Sequence, residues 1–211
     1  TEADSIYFHS TSDGIIWGGI RLESETQWSR FEFCKIENAE DGINTINSEV
    51  MIFSCRFYDN EQAVHIYGIG NPTEVFVLNS YIANCQQNGI YIVENSNVQI
   101  MNNEITQCAL DNSPRGAIML SSQGGDCSPT IHNNYIHHNS WQGISAWDVT
   151  GGSNINPNIY GNEIAYNLTG IYLYYASGDV RDNYIHDNFV PGNANSGAGI
   201  MVEGASSAPI I

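Results

Sequence analysis

The stretch 133-NNYIHHNSWQGI-144 returns as 183-NYIHDN-188 and, more loosely, as 162-NEIAYNLTGI-171. Its closing Gly-Ile belongs to a wider pattern: Gly or Ala followed by apolar, any and apolar, with Thr45 a polar exception. The copies are 19-GIRL-22, 42-GINT-45, 63-AVHI-66, 89-GIYI-92, 117-AIML-120, 143-GISA-146, 170-GIYL-173 and 199-GIMV-202. About seven or eight residues before most of them lies a second apolar anchor in polar surroundings: 34-CKI-36, 55-CRF-57, 80-SYI-82, 103-NEI-105, 134-NYI-136, 162-NEI-164 and 183-NYI-185. A third short apolar segment precedes the anchor, as in 98-VQI-100 and 130-TI-131.

Ile20, Ile43, Val64, Ile90, Ile118, Ile144, Ile171 and Ile200 follow one another at intervals of 21 to 29 residues, the spacing of a coil that turns once per repeat and stacks on itself. Apolar and polar residues alternate with period 2 inside each segment and helix caps are absent, which disfavours helical repeats. Leucine is too rare for a leucine-rich repeat. The expected fold is all-β: a single-chain, right-handed parallel β-helix of about eight rungs with three short strands per rung, one domain over residues 1–211. The hand follows from the preference of parallel crossovers, and rungs would stack about 4.8 Å apart.

In this frame Asn103, Asn134, Asn162 and Asn183 fall two residues before the anchor, and Asn60, Asn139, Asn167 and Asn188 three after it. Stacked amides at one corner can hydrogen-bond along the column, so the asparagines read as scaffold. His137 and His186 sit one after the anchor, where other rungs carry Glu37, Tyr58, Ala83, Thr106 and Ala165. The variety implies a solvated position, and His137, His138 and His186 are expected to do no chemistry.

Six Lys plus Arg, of which Lys35 is the single lysine, stand against 23 Asp plus Glu, for a formal net charge of -17. Such a chain repels polyanions, which excludes nucleic acid and anionic membranes as partners, and it suits neutral or cationic ligands. No apolar run approaches the roughly 20 residues that span a bilayer, so no membrane insertion is expected.

The rung pattern N-x-I-x-x-N followed by GI resembles the parallel β-helix repeat family, the pectin-lyase-like superfamily, over essentially the whole chain. The segments 1-TEADSIYFHSTSDGIIWGGIRLES-24 and 31-FEFCKIENAEDGI-43 are similar to rungs of long secreted or surface-displayed bacterial and archaeal β-helix proteins. The resemblance implies an extracellular or cell-surface location and, because Thr1 begins within a rung, a fragment of a longer solenoid or multidomain parent whose other domains are partners. Enzyme signatures of the superfamily do not carry over: the NTD…DD…GHG…RIK set of polygalacturonases, the DPH motif of alginate epimerases and the Asp-Asp-Arg set of pectin methylesterases have no counterpart.

Cys34 and Cys55 share one repeat position, as do Cys85 and Cys108. In-register neighbours hold their Cβ atoms parallel at about 4.8 Å, wider than a disulfide prefers, so stacked thiols are favoured over bridges. Cys127 has no obvious partner, and the absence of a CxxC pair argues against zinc.

Between the inward anchors of the GI strands, the outward residues collect Tyr67, Tyr91, Trp147, Tyr172 and Tyr174, with His65 beside them. An exposed aromatic face of that size calls for an occupant. A sugar-stacking platform fits, since Trp147 and Tyr174 would lie one rung apart, close to the length of a sugar residue; a face covered by a neighbouring domain is the alternative. Long segments at 109–117, 121–129, 148–158 and 189–198 would wall the face into a groove. Glu94 and Asp148 end equivalent strands two rungs apart, about 9.6 Å, near the wide end of an inverting glycosidase pair, and are candidate catalytic carboxylates. Nearby cations are Arg21, Arg115 and His65. No cofactor is required; Asp111, Asp126, Asp148, Asp179, Asp182 and Asp187 offer hard oxygens that suit Ca²⁺ as a structural ion. Three functions remain open: a module that binds a polysaccharide through the aromatic face, a polysaccharide lyase or glycoside hydrolase in the same groove, and a structural stalk.

Overall fold

The computed structural model describes residues 5–11, 14–23, 28–68, 73–95, 97–111, 116–152, 154–189, 191–192 and 197–211. Within them the three apolar segments of each repeat become three parallel sheets. The anchor sheet joins Ile6–Phe8, Cys34–Glu37, Arg56–Tyr58, Tyr81–Ala83, Glu104–Thr106, Tyr135–His137, Glu163–Ala165 and Tyr184–His186. The groove sheet joins Trp17–Leu22, Ala39–Ile46, Gln62–Tyr67, Ile90–Val93, Gly116–Ser122, Gln142–Asp148, Thr169–Tyr174 and Ile200–Glu203. The third sheet joins Ser29–Glu32, Val50–Phe53, Val75–Leu78, Val98–Met101, Thr130–His132, Asn158–Tyr160 and Asp179–Arg181.

Register follows the sequence repeat. Ile20, Ile43, Val64, Ile90, Ile118, Ile144, Ile171 and Ile200 pair rung on rung in one inward line of the groove sheet. Phe8, Ile36, Phe57, Ile82, Ile105, Ile136, Ile164 and Ile185 do the same in the anchor sheet. These lines meet lines from the third sheet in one core, where Ile36, Ile43, Phe57, Ile82, Ile90, Ile105, Ile118, Ile136, Ile144, Ile164 and Ile171 are fully buried.

The anchor strands are short because both ends turn sharply. Phe33, Ser54, Asn79, Asn102, Asn133 and Asp182 hold left-handed φ at one corner, and Asn38, Asp59, Asn84, Gln107, His138, Tyr166 and Asp187 at the other. Asparagine and aspartate tolerate that conformation better than most side chains, which accounts for their density beside the anchors.

Amide ladders staple the corners. At the first, Asn134 Oδ1 accepts from Asn103 N at 3.0 Å, Asn162 Oδ1 from Asn134 Nδ2 at 2.9 Å, and Asn183 Oδ1 from Asn162 Nδ2 at 2.9 Å. At the second, Asn167 Oδ1 accepts from Asn139 Nδ2 at 2.9 Å and Asn188 Oδ1 from Asn167 Nδ2 at 3.0 Å. Each Nδ2 also donates to a core carbonyl, as Asn134 does to Ile100 and Asn167 to Ile136.

The cysteines extend these columns. Cys34 and Cys55 continue the first below Ser80, where Ser80 Oγ accepts from Cys55 N at 3.1 Å and Asn103 Oδ1 from Ser80 N at 2.8 Å. Cys108 continues the second, its N donating to Asn139 Oδ1 at 2.9 Å. All five cysteines are buried free thiols. Their Sγ atoms donate to strand carbonyls, Cys108 to Thr106 at 3.4 Å and Cys55 to Phe53 at 3.5 Å. Burial pushes the Cys55 and Cys127 thiols up to about 12, so none of this pair is a nucleophile at neutral pH.

Among the described residues no helix is long and apolar enough to cross a membrane. Because Ile136 sits at the centre of a filled inward line, Ile136→Ala should lower stability by roughly 2–5 kcal/mol in urea unfolding; a change below about 0.5 kcal/mol would contradict this register.

Candidate functional site

The outward residues of the groove sheet form two lines. Arg21, Asn44, His65, Tyr91, Met119, Ser145, Tyr172 and Met201 pair along the first. Tyr67, Val93, Ser121, Trp147, Tyr174 and Glu203 pair along the second. Trp147 and Tyr174 are therefore rung neighbours, as the repeat implies.

The face is not the open platform expected. His65 is 6% exposed and Tyr172 9%, while Tyr67, Tyr91, Trp147 and Tyr174 are half-buried. The rings cover one another in two clusters. In the lower cluster His65 stacks between Tyr67 at 4.2 Å and Tyr91 at 4.8 Å. In the upper one Trp147 meets Tyr174 at 5.0 Å and Tyr172 edge-on at 6.1 Å. Val93, Ser121 and Ser145, outward-facing between the clusters, are buried, so the groove is not continuous.

The upper cluster opens into a cleft of about 500 Å³ lined by Trp147, Asp148, Val149, Thr150, Gly151, Tyr174 and Tyr175. Tyr175 was not among the expected site residues. It follows the strand in left-handed conformation, φ 49°, which turns its ring edge-on to Tyr174 at 4.6 Å. The segment after Trp147 forms one wall, as its length implied. Beside Trp147 and Tyr174, Tyr172 Oη donates to Glu203 Oε2 at 2.7 Å, and burial together with that carboxylate raises the phenol's pKa.

The lower cluster is built on Asp41. Its carboxylate accepts from Asn44 Nδ2 at 2.6 Å, from Gln62 Nε2 at 3.2 Å and from His65 Nδ1 at 3.3 Å. The opposite ends of the same side chains, Asn44 Oδ1, Gln62 Oε1 and His65 Nε2, are buried and have no hydrogen-bond partner among the described residues.

Glu94 and Asp148 do end equivalent strands two rungs apart, but both carboxylates hold loops. Glu94, 8% exposed, accepts from Gln123 N at 2.6 Å and Gly125 N at 3.0 Å. Asp148, fully buried, accepts from Thr150 N at 2.8 Å, Thr150 Oγ1 at 2.6 Å and Asn154 N at 3.2 Å. The strand end turns Glu94, which takes a left-handed φ of 53°, whereas Asp148 is the last residue of its strand.

Arg21 is paired with Glu23 at 2.8 Å, and Arg115 lies outside the described residues, as do parts of the 109–117 and 189–198 segments. The aspartates considered for Ca²⁺ are dispersed: Asp179 holds Arg181 at 2.9 Å and Asp187 holds His186 at 2.9 Å. Among the described residues no group of three or more His, Cys, Asp and Glu could hold a metal ion.

The NYIH histidines are not solvated bystanders either. Residues two apart on a strand share a face, so Tyr135 stacks on His137 at 3.9 Å and Tyr184 on His186 at 4.2 Å. The rung below supplies a glutamate each time: Glu104 Oε1 lies 3.2 Å from His137 Nε2, and Glu163 Oε1 lies 3.4 Å from His186 Nε2. His138, swung round by its corner conformation, places Nδ1 2.7 Å from that of His137. Burial lowers the pKa of His137, while the hydrogen bond to Asp187 is the main cause that raises that of His186.

A chain wound into three parallel sheets with aligned rungs is a parallel β-helix. This one belongs to the family described as right-handed β-helix region, whose model matches residues 18–158, and its winding is right-handed. No curated protein matches it. It is similar in structure to the enzymatically active domain of tailspike protein 2 of bacteriophage CBA120, with TM-score 0.68 and 13% sequence identity, over 97% of this chain and 34% of that one. The chain therefore spans about a third of the tailspike chain's length.

The two histidines should titrate on opposite sides of the usual 6.5. A raised His186 favours folding below 6.5 and loses that contribution as pH rises through its folded pKa; a lowered His137 costs stability as pH falls below 6.5. A two-dimensional NMR titration should give the higher midpoint to His186, and the reverse order would refute these pairings.

Proposed function

We propose that this β-helix is an extracellular or cell-surface module that binds a polysaccharide, with the cleft between Trp147, Tyr174 and Tyr175 as its principal sugar subsite. The observation that carries the reading is that cleft: three aromatic rings around about 500 Å³ of open space at the end of rigid strands. Aromatic rings offer flat apolar faces with polar tips, and small clefts of this kind are where rigid scaffolds hold ligands. The rung repeat matches the step of a sugar chain, so Trp147 and Tyr174 can stack on consecutive residues. The lower cluster of His65, Tyr67 and Tyr91, with its unpartnered acceptors, would take hydroxyl donors from a second part of the ligand once a ring moves aside. The net charge of -17 favours neutral sugars at this face.

The likeness to the enzymatically active domain of a tailspike, of whose chain this one covers 34%, supports a larger parent chain as the setting. A lyase or hydrolase in the same cleft and a stalk are the competing readings. The test is a glycan array with a parallel assay for new reducing or unsaturated ends. Binding without new ends is the expected result, and new ends would make the chain an enzyme. Trp147→Ala should weaken binding by roughly ten- to a hundredfold, the loss of one buried aromatic contact of about 1.5–3 kcal/mol, with the melting temperature little changed. Unaltered affinity would remove the cleft from the account.

A further inference from the structure

We infer that the paired histidines of the first NYIH copy, His137 and His138, form a binding site for a divalent transition-metal ion of the Cu²⁺, Ni²⁺ and Zn²⁺ class. The site stands on the outer face of the anchor sheet, apart from the aromatic cleft of the groove sheet, and does not depend on the polysaccharide reading.

The two rings meet nitrogen to nitrogen. His137 Nδ1 lies 2.7 Å from His138 Nδ1. Two N–H groups cannot point at each other across that distance, so at least one lone pair sits in the contact. Glu104 decides whose it is. Its Oε1, on the rung below, is 3.2 Å from His137 Nε2. An ionised carboxylate only accepts, so Nε2 carries the proton and Nδ1 of the neutral ring keeps its lone pair. Thr106 Oγ1, 3.4 Å from the same Nδ1, is placed to donate to it. An imidazole whose far nitrogen is fixed on a carboxylate is the arrangement that metal-binding histidines adopt.

The second NYIH copy supplies the contrast. There His186 Nδ1 faces Asp187 Oδ2 at 2.9 Å while Nε2 faces Glu163 Oε1 at 3.4 Å. Both nitrogens serve acceptors, and no lone pair is left over. The copies 134-NYIHHN-139 and 183-NYIHDN-188 differ at one residue, and that difference exchanges an ion pair for two facing imidazoles.

Both rings of the first copy are held in place. Tyr135 stacks on His137 at 3.9 Å and Tyr166 on His138 at 4.7 Å, and a left-handed φ of 54° turns His138 back onto its neighbour. Bonds of about 2.0–2.1 Å at right or tetrahedral angles set two nitrogens roughly 2.9–3.4 Å apart. A small rotation of the exposed His138 ring therefore admits the ion, which displaces the proton between the nitrogens to water. Among the described residues no third His, Cys, Asp or Glu completes a metal-holding group with the pair, which leaves the remaining coordination positions to water. Neutral nitrogen ligands select borderline transition ions over Ca²⁺ and Mg²⁺, with Cu²⁺ held tightest.

The test is an NMR titration of the full chain, freed of metal, with zinc chloride and separately with traces of copper sulfate. One equivalent of Zn²⁺ should shift the ring signals of His137 and His138 and leave those of His9, His65, His132 and His186 in place, and Cu²⁺ should broaden the same pair first. Ca²⁺ in large excess should not displace Zn²⁺. His138→Asn should weaken Zn²⁺ binding roughly tenfold or more with the melting temperature little changed, since Asn38 and Asn84 hold the same left-handed corner in other rungs. Glu104→Gln should weaken it about tenfold and mix the tautomers of the metal-free His137 ring, read from its ¹⁵N shifts, whereas Trp147→Ala should have no effect. Shifts that fall on acidic loops or on His186 instead, displacement by Ca²⁺, or wild-type affinity in His138→Asn would overturn the inference.

Discussion

Register is the constraint on which everything else rests. A parallel coil has no hairpins to fix how one rung sits on the next, and a slip of one residue would send an inward line outward. Here two corner columns prevent the slip. An asparagine side chain that accepts from the amides of the preceding rung while donating to a core carbonyl of that same rung fits at one height only. Where the columns change to serine and cysteine, Ser80 Oγ takes over the acceptor role toward Cys55. The thiols keep the column filled with small side chains that donate to strand carbonyls.

Fixed register converts a one-dimensional repeat into surface chemistry. Residues scattered at intervals of 21 to 29 positions become neighbours about 4.8 Å apart. That places Tyr174 over Trp147, Arg56 over Lys35, and His137 and His186 over glutamates. The same lines that bury isoleucines on the inside therefore compose three different faces outside: a half-buried aromatic one, a cationic corner and a Tyr-His-Glu ladder. Loops then decide which parts are open. The 121–129 segment, tied down by Glu94, accompanies the buried middle of the groove sheet, and the turn pinned by Asp148 walls the upper cleft.

What could be read from the residues followed from this division. Inward lines and corner amides obey the same chemistry at every rung, so Ile136, Asn134 and Asn167 announced their places. Outward lines carry no such repetition, and exposure there depends on loops that break the period; hence Tyr172 and His65 prove buried, and Glu94 and Asp148 prove to be clamps. Tyr175 could not be found by pattern, because its place in the cleft depends on a left-handed backbone angle after the strand. Two outward alignments are nevertheless written in the sequence. An NEI rung precedes an NYIH rung twice, which sets glutamate beneath histidine both times, and 34-CKI-36 beneath 55-CRF-57 aligns the two cations.

The most direct test of the central claim is hydrogen exchange at the asparagine side chains, followed by NMR. If the ladders hold the rungs, the Nδ2 protons of Asn134, Asn162, Asn139 and Asn167 should exchange as slowly as core backbone amides such as those of Ile136 and Ile164, while the exposed Asn133 side chain exchanges freely. Ladder side chains exchanging as fast as Asn133 would show that the amides do not bind the rungs together, and the register argument would fail with them.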